Sequence, residues 1–501
     1  MSYYRLVECA LHRGSVGGLA LVSLGSVLAA LGAPACGSDA APPAEAPPAC
    51  LGPSFVGSPL GVRCGALVDV HGRQVRLLGM NARAAGIFDV SFDDGRTALE
   101  PLPAFTVDDA RRMRALGVSS LRLPIQWSGV EPTESGGFDE AYLDRVARAV
   151  DDAHAAGLLV LVDFHQDAYS KEIGEDGAPY WAIVPPPPMK LGGPLVDLDE
   201  RRLSKPVNDA FDTFFGTSPD GVRLRARFAA MAVHVVTRFA RHPGVLGFEL
   251  FNEPVTTAER LRAFHTELLG AVRAAAPEKL VLFEPPAIRN FLDSADIPES
   301  GLGPGTVYAP HIYTSAFASD AARAAVTKDN LRRSYEAARD EAAGWAAPLV
   351  VTEYGFPPSA PSFGSYLRWH DELAEELGAS TWFWLWKELT QGSWGLYDFD
   401  ASGAAKERDA VVGALSRVRL EACAGQVESI DHRPAEGTMV VRFLGSDTSR
   451  EHLVSFGSRW TAKRLRCDDR DAESTPGEPL RVTCGGAGRH VLSIDYLARA
   501  P

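Results

Sequence analysis

Between residues 75 and 384 the chain alternates short apolar, β-rich runs with longer stretches in which apolar residues recur every three or four positions. The β-rich runs fall at 75–81, 119–124, 158–164, 245–251, 279–283, 306–311, 349–353 and 381–384. Helical periodicity fills stretches such as 107–115, 140–156, 222–240 and 258–275. Strands that are apolar throughout need cover on both faces, and strand–helix alternation supplies it through crossover helices between parallel strands. Eight such units predict one α/β (β/α)8 TIM barrel with loop insertions, placed at residues 61–416.

After about residue 417 the period changes. Runs at 439–444, 480–483 and 490–494 are separated by Gly, Asp and Ser with no helical spacing between them, which predicts a small C-terminal antiparallel β-sandwich over 417–501. No cluster of exposed aromatics stands out there, so it reads as a structural rider on the barrel. At the other end, Arg5 and Arg13 precede an apolar run over 19–31 that closes on Ala33-Pro34-Ala35, the form of an export signal over residues 1–35. A Pro/Ala-rich tether follows over 36–60. Cys36 directly after the small residues suits a lipid-anchored bacterial lipoprotein, and Ala33-x-Ala35 equally suits ordinary cleavage. The expected location is exported, either secreted or lipid-anchored at the bacterial cell envelope, with Cys36 giving membrane-surface association in the second case.

A formal net charge of −14 argues against nucleic acid as a partner, because that affinity depends on Lys and Arg displacing counterions. A neutral substrate fits better, and a monomer is expected. Of seven cysteines, Cys9 leaves with the signal, and Cys50/Cys64 and Cys467/Cys484 are plausible disulfide pairs in an oxidising compartment; if Cys36 is lipidated, five remain and one of them is free or paired between chains. No C-x-x-C pair or metal-spaced histidines are present, so neither a metal nor a cofactor is expected.

A barrel places its chemistry at the C-terminal ends of its strands. The polar and aromatic residues fall there: Arg122 on the second strand, His165 on the third, Asn252-Glu253 on the fourth, His311 on the sixth, Glu353 on the seventh and Trp384 to Trp386 on the eighth. Asn-Glu-Pro alone is a weak motif. Paired with a second carboxylate at the end of the seventh strand, it supplies what retaining glycoside hydrolysis needs, two carboxyl groups about 5 to 5.5 Å apart. Glu253 is read as acid/base, because Asn252 beside it can reach a sugar 2-hydroxyl, and Glu353 as nucleophile. Arg122 and Tyr313 are expected to hold Glu353 ionised, while apolar neighbours favour a protonated Glu253. Of Trp382, Trp384 and Trp386, some must pack and at least one should stack on a sugar, with Trp384 and Trp386 the candidates. The plainer readings are that either glutamate is a structural ion-pair partner, and that His165 and His311 are hydrogen-bonded core histidines. Glu249 is expected to point away from the pocket, and Glu284 is a weaker rival for catalysis.

The motifs Leu121-Arg122-Leu123-Pro124, Asn252-Glu253-Pro254, His311-Ile312-Tyr313 and Thr352-Glu353-Tyr354-Gly355, with the tryptophans of the eighth strand, resemble glycoside hydrolase family 5 over residues 67 to about 395. A narrower likeness, to endoglycoceramidases and related glycolipid glycosidases, rests on Asp163-Phe164-His165-Gln166-Asp167, on Gly174 to Ala182, on Trp384-Leu385-Trp386-Lys387-Glu388 and on Trp394-Gly395-Leu396-Tyr397. It implies cleavage of the β-glycosidic bond between a sugar or oligosaccharide and ceramide, with His165 and Asp167 binding the sugar. The first βα loop lacks the lysine expected of some glycoceramidases, which implies a different head-group selectivity. Two rivals stand beside this reading: an endo-β-1,4-glucanase or mannanase acting on a polysaccharide, and a carbohydrate-binding lipoprotein without turnover. In the insertion over 167–219, Val207, Phe211, Phe214 and Phe215 share one face of a short helix that either lines a lipid groove or packs on the barrel.

Overall fold

A computed structural model describes residues 54–295, 301–389, 394–400 and 402–499. The expected export signal, Cys36 and most of the tether lie outside the described residues. Eight parallel strands form the barrel: β1 (Leu78–Asn81), β2 (Ser120–Gln126), β3 (Leu159–His165), β4 (Val245–Glu249), β5 (Leu280–Phe283), β6 (Thr306–Tyr308), β7 (Val350–Tyr354) and β8 (Ser380–Phe383). They pair in the order β7-β8-β1-β2-β3-β4-β5-β6, and bridges Tyr308 to Leu349 and His311 to Glu353 close the ring. Helices such as Val107–Ala115, Glu140–Ala155, Pro219–Phe239, Ala258–Ala275, Lys328–Gly344 and Phe363–Leu377 cover the outside. Local sequence starts them: Thr106 and Asp109 form a reciprocal capping box, and Ser218 caps a helix that opens on Pro219.

Inward-pointing side chains fill the lower barrel. Trp382 lies there among Leu161, Leu246, Leu280 and Val350. It presses on β1 at Gly79, where any Cβ would fall 2.1 Å from the indole. Only glycine admits that ring.

The C-terminal region is an antiparallel sandwich. One sheet contains Arg419–Cys423, Glu451–Ser455 and Leu480–Thr483; the other contains Gly425–Arg433, Thr438–Gly445, Trp460–Cys467 and Gly488–Ala498. Leu420, Met439, Val441, Phe443, Val482 and Ile494 form the core between them. The pair Cys467–Cys484 is a disulfide, Cys64 is also disulfide-bonded, and the buried Cys423 is free. Cys50 lies outside the described residues.

One pairing departs from the expected layout. The apolar run at 75–81 divides between two sheets. Gln74–Val75 pairs with Arg419–Cys423, and through it the hairpin Leu60–Arg63/Ala66–Asp69 joins the C-terminal sheet, whereas β1 of the barrel starts at Leu78. Residues 60–75 thus belong to the sandwich by hydrogen bonding. Buried ion pairs tie the two layers further: Arg417 and Arg419 to Asp371, and Arg76 to Glu375 on the helix Phe363–Leu377.

Candidate active site

Arg122 points from β2 into the barrel and is fully buried. Its Nε donates to Glu249 Oε2 (2.6 Å), Nη1 to Glu353 Oε1 (2.6 Å) and Asn81 Oδ1 (3.0 Å), and Nη2 to Asn252 Oδ1 (2.7 Å), with Asp163 Oδ2 at 3.0 Å from Nη2. Burial opposes the charge, but Asp163, Glu249, Glu353 and Glu284 together hold the guanidinium pKa well above its ordinary value. Glu249, expected to point away, instead turns inward beneath the pocket, where Thr352 Oγ1 also donates to it at 2.9 Å. The arginine opposite gives it a partner.

Strict alternation on β7 would send Glu353 outward with Val351, because Val350 and Thr352 face the interior. The register shifts between Val351 and Tyr354, and an irregularity of this kind re-aims a side chain. Glu353 consequently enters the pocket beside Thr352, with Tyr313 Oη donating to Oε2 at 2.9 Å. Burial pushes the Glu353 carboxyl above the usual carboxylate range, while His311 and Arg122 pull it down. The expected cation and phenol are in place, and desolvation works against them.

Glu253 follows β4 with φ of 43°, a left-handed conformation costly for a non-glycine residue. Its backbone N–H donates to Glu284 Oε2 at 3.0 Å, which fixes that turn from behind. Oε1 accepts from Asn290 Nδ2 at 2.6 Å and meets His311 Nδ1 at 2.8 Å. The expected apolar neighbours are therefore replaced by two polar donors, because the loop after β5 and the end of β6 both converge on this side chain. His311 also stands 3.5 Å from Glu353 Oε2; burial opposes its charge, but Glu284 and Glu353 hold its pKa well above the ordinary value. One oxygen of Glu253, one ring nitrogen of His311 and one oxygen of Glu353 lie within 4.8 Å of one another. Glu249, Glu284 and His311 form a second such trio. Most of these groups are already hydrogen-bonded to Arg122, Tyr313, Asn290 or Thr352, so the gathered charge is balanced by protein.

The opposite wall is built from β3 and β8. His165 Nδ1 lies 2.6 Å from Asp163 Oδ2, and its ring is nearly parallel to Trp384 at 5.8 Å. Burial and the Arg122 charge lower its pKa to about 3, so the imidazole is neutral and donates its proton to Asp163. Asn252 accepts from Arg122 and spends one amide proton on Gln166 O at 3.0 Å, leaving the second for a substrate hydroxyl. Asp167, two residues after His165 and interacting with it electrostatically, pairs through both its oxygens with Arg202 on the insertion. Trp384 is the partly exposed tryptophan. Trp386, expected to bind sugar, is 1% exposed in the outer core, where its Nε1 donates to Asp109 at 3.0 Å. β8 ends at Phe383, and alternation cannot be extended past that point. The insertion helix Lys205–Phe214 packs rather than lining a groove: Val207, Phe211, Phe214 and Phe215 are all buried, and Phe214 meets Trp127, Phe228, Phe251 and Phe264.

Several participants were not singled out from sequence. Asn81 ends β1 and follows the strand-end rule. Asp163 lies two residues before His165 on the same face of β3. Asn290 lies on the short helix Arg289–Leu292 after β5 and carries no such signal. Arg83, next to Asn81, is buried against Glu100, Glu175 and Glu388 and lies 5.8 Å from the centre of the Trp384 ring. At the mouth Tyr313, Phe317 and Trp394 form an aromatic cluster, with Phe317 stacked on Trp394 at 5.5 Å.

Two glutamates facing each other across the C-terminal mouth of a (β/α)8 barrel define the class, a barrel glycoside hydrolase. The chain belongs to glycosyl hydrolase family 5: the family profile, described as Cellulase, matches residues 102–389, more than half of the chain. Endoglycoceramidase I of Rhodococcus hoagii is 30% identical over 267 residues, covering 49% of this chain and 51% of that protein. The chain thus aligns with about half the length of this curated relative. Among solved structures, that of an endogalactoceramidase superposes with a TM-score of 0.68 at 24% identity, covering 87% of this chain and 100% of that one. A ganglioside GM3 complex of endo-glycoceramidase II from Rhodococcus sp. gives 0.67 at 22%, covering 86% and 99%. These likenesses establish the shared fold.

Proposed function

We propose that this protein is a retaining endo-β-glycosidase that hydrolyses the bond between a glycan and ceramide in glycosphingolipids. The observation that carries the reading is the approach of Glu253 and Glu353 to within 4.8 Å, with each already oriented by its own donors. Glu353, fixed by Arg122 and Tyr313, attacks the anomeric carbon. Glu253 gives its proton to the departing oxygen through Oε2, since Asn290 and His311 both engage Oε1. In the second step the Glu253 carboxylate takes a proton from water, which then releases the sugar from Glu353. Asn252 and the neutral His165 sit where ring hydroxyls would lie, with Trp384 as the stacking face.

Support for a lipid leaving group comes from the rim beyond Glu253. Leu292 and Phe317, on the segments after β5 and β6, are exposed, each at 46%. The names of the relatives, endoglycoceramidase and endogalactoceramidase, agree with that chemistry. The test is mass spectrometry of products from a panel of glycosphingolipids and glucans. Ceramide release is expected. Cello-oligosaccharides without ceramide would replace the reading with an endo-β-1,4-glucanase or mannanase, and unchanged hydrolysis by Glu353→Gln would replace it with a carbohydrate-binding lipoprotein.

The same reading includes export and action as a monomer at the cell envelope, held at the membrane surface if Cys36 is acylated. Mass spectrometry of the mature N-terminus separates a lipidated Cys36 from simple cleavage after Ala35.

A further inference from the structure

A buried group of charges comes to the pocket at Asp167. The chain leaves β3, turns through Ala168 (φ 52°) and Tyr169 (φ 71°), and returns so that the backbone N–H groups of Glu175 and Asp176 both donate to the Asp167 carbonyl, at 3.2 and 3.1 Å. Gly174 lets the two segments close, since any Cβ there would fall 2.2 Å from the Ala168 carbonyl oxygen. That return sets Glu175 against Asp167, and the two carboxyl groups share a hydrogen bond. Arg202 engages both oxygens of Asp167, and Arg83 Nη1 lies 3.1 Å from Glu175 Oε1. Side-chain exposure is 6% at Glu175, 15% at Asp167 and 32% at Arg202, so the group surfaces through the last two. His165 feels the charge of Asp167, and Arg202 that of Glu253.

A hydrogen bond between two carboxyl groups needs one proton. Burial opposes the charge of Asp167, but Arg202 holds that carboxyl below its usual range. The proton therefore sits on Glu175, which burial and the Asp167 charge push up to about 8 against the pull of Arg83. The remaining neighbours do not reverse this. Glu100, from the segment after β1, and Asp176, on the same turn, add negative charge. Arg83 is shared with Glu100 and Glu388, and Arg201 is engaged by Asp197 and by the carbonyls of Gly174 and Gly192. The neutral acid suits both its partners: its carbonyl oxygen accepts from Arg83, and its hydroxyl donates to Asp167.

We infer that Glu175 is a positioning residue for the reaction: the proton it donates to Asp167 fixes that carboxylate toward the sugar. The inference rests on the glycosidase reading, in which Asp167 meets the substrate, and not on the nature of the leaving group. The test is steady-state kinetics of the full-length protein from about pH 7 to about pH 9.5, below the melting temperature throughout. The substrate is whichever dinitrophenyl β-glycoside is turned over fastest among glucoside, galactoside and lactoside. Dinitrophenolate departs without a proton, so titration of Glu253 does not enter that step. KM is expected to rise about tenfold across the range, as ionised Glu175 repels Asp167, with a smaller change in kcat. Glu175→Gln, whose amide donates at any pH, should hold KM flat, and Glu175→Ala should start from the raised value at about pH 7. Glu388→Gln removes the other Arg83-bound carboxyl that is pushed up, to about 7, and should leave the rise in place. Turnover with a flat KM in the parent, or a rise that survives Glu175→Gln, overturns the inference and leaves the glycosidase reading standing. Turnover of none of the glycosides removes both.

Discussion

Arg122 Nη1 stands 2.6 Å from Glu353 Oε1, and both side chains are buried. The guanidinium plane sets the direction from which Glu353 faces the pocket, and its other nitrogens fix Glu249, Asn81 and Asn252 at the same time. Lysine offers one charged point and cannot span those directions. Arg122→Lys should lower kcat by roughly 100-fold with a smaller change in KM. Arg122→Met leaves several buried carboxylates without their cation and should cost about 3–5 kcal/mol of stability, read by denaturant unfolding.

External azide separates the roles of the two glutamates. In Glu353→Gly, azide can occupy the vacated face and attack an activated aryl β-glycoside directly, giving the α-glycosyl azide. In Glu253→Ala, Glu353 still forms the covalent intermediate, and azide, which needs no base, displaces it to give the β product. Proton NMR of the anomeric configuration reads the outcome. The reverse pattern would exchange the assignments.

Trp384 and Trp386 should fail in different ways. Trp384→Ala removes the surface parallel to His165 and should raise KM about tenfold or more with little loss of melting temperature. Trp386→Phe removes the hydrogen bond to Asp109 and should cost about 1–3 kcal/mol while leaving kcat/KM near that of the parent. Steady-state kinetics and thermal unfolding of the pair decide it.

Stability should decline as pH rises above neutrality. Burial, with the charge of Asp167, pushes Glu175 up to about 8, and burial pushes Glu388 up to about 7, both from an ordinary 4.5 and against the pull of Arg83. The unfolded chain releases these protons near 4.5, whereas the fold keeps them to about 8 and about 7. The contribution is therefore fully present below 4.5 and lost as pH climbs through the folded values. Buried neutral histidines such as His165 and His265 act oppositely, but only below their ordinary 6.5. Melting temperature should thus fall between pH 6.5 and about 8, and Glu175→Gln should flatten the fall. A flat parent profile over that window would contradict the assignment.

The strands and both glutamates were legible because a buried parallel strand is an apolar run and the residues at or just past its C-terminal end gather at the pocket. Arg122, Asn252, His311 and Tyr313 converge as that rule requires. Two of the misses, Trp386 and Asn290, lie where the regular strand ends. Trp386 lies beyond β8, so alternation says nothing of its face. Asn290 has no strand to point it, and Glu249 turns inward because of a guanidinium two strands away. The run at 75–81 looked continuous since Val75 is apolar in either sheet.

The early hairpin has a consequence for how the molecule is made. Residues 60–75 leave the ribosome more than 300 positions ahead of Arg419–Cys423, the strand they pair with. Until that late strand arrives, the nascent chain carries a sticky, half-finished ribbon at its front. Synthesis of that late strand therefore seals the base of the enzyme, and a stop codon just after the barrel would leave an aggregation-prone edge rather than a trimmed catalyst.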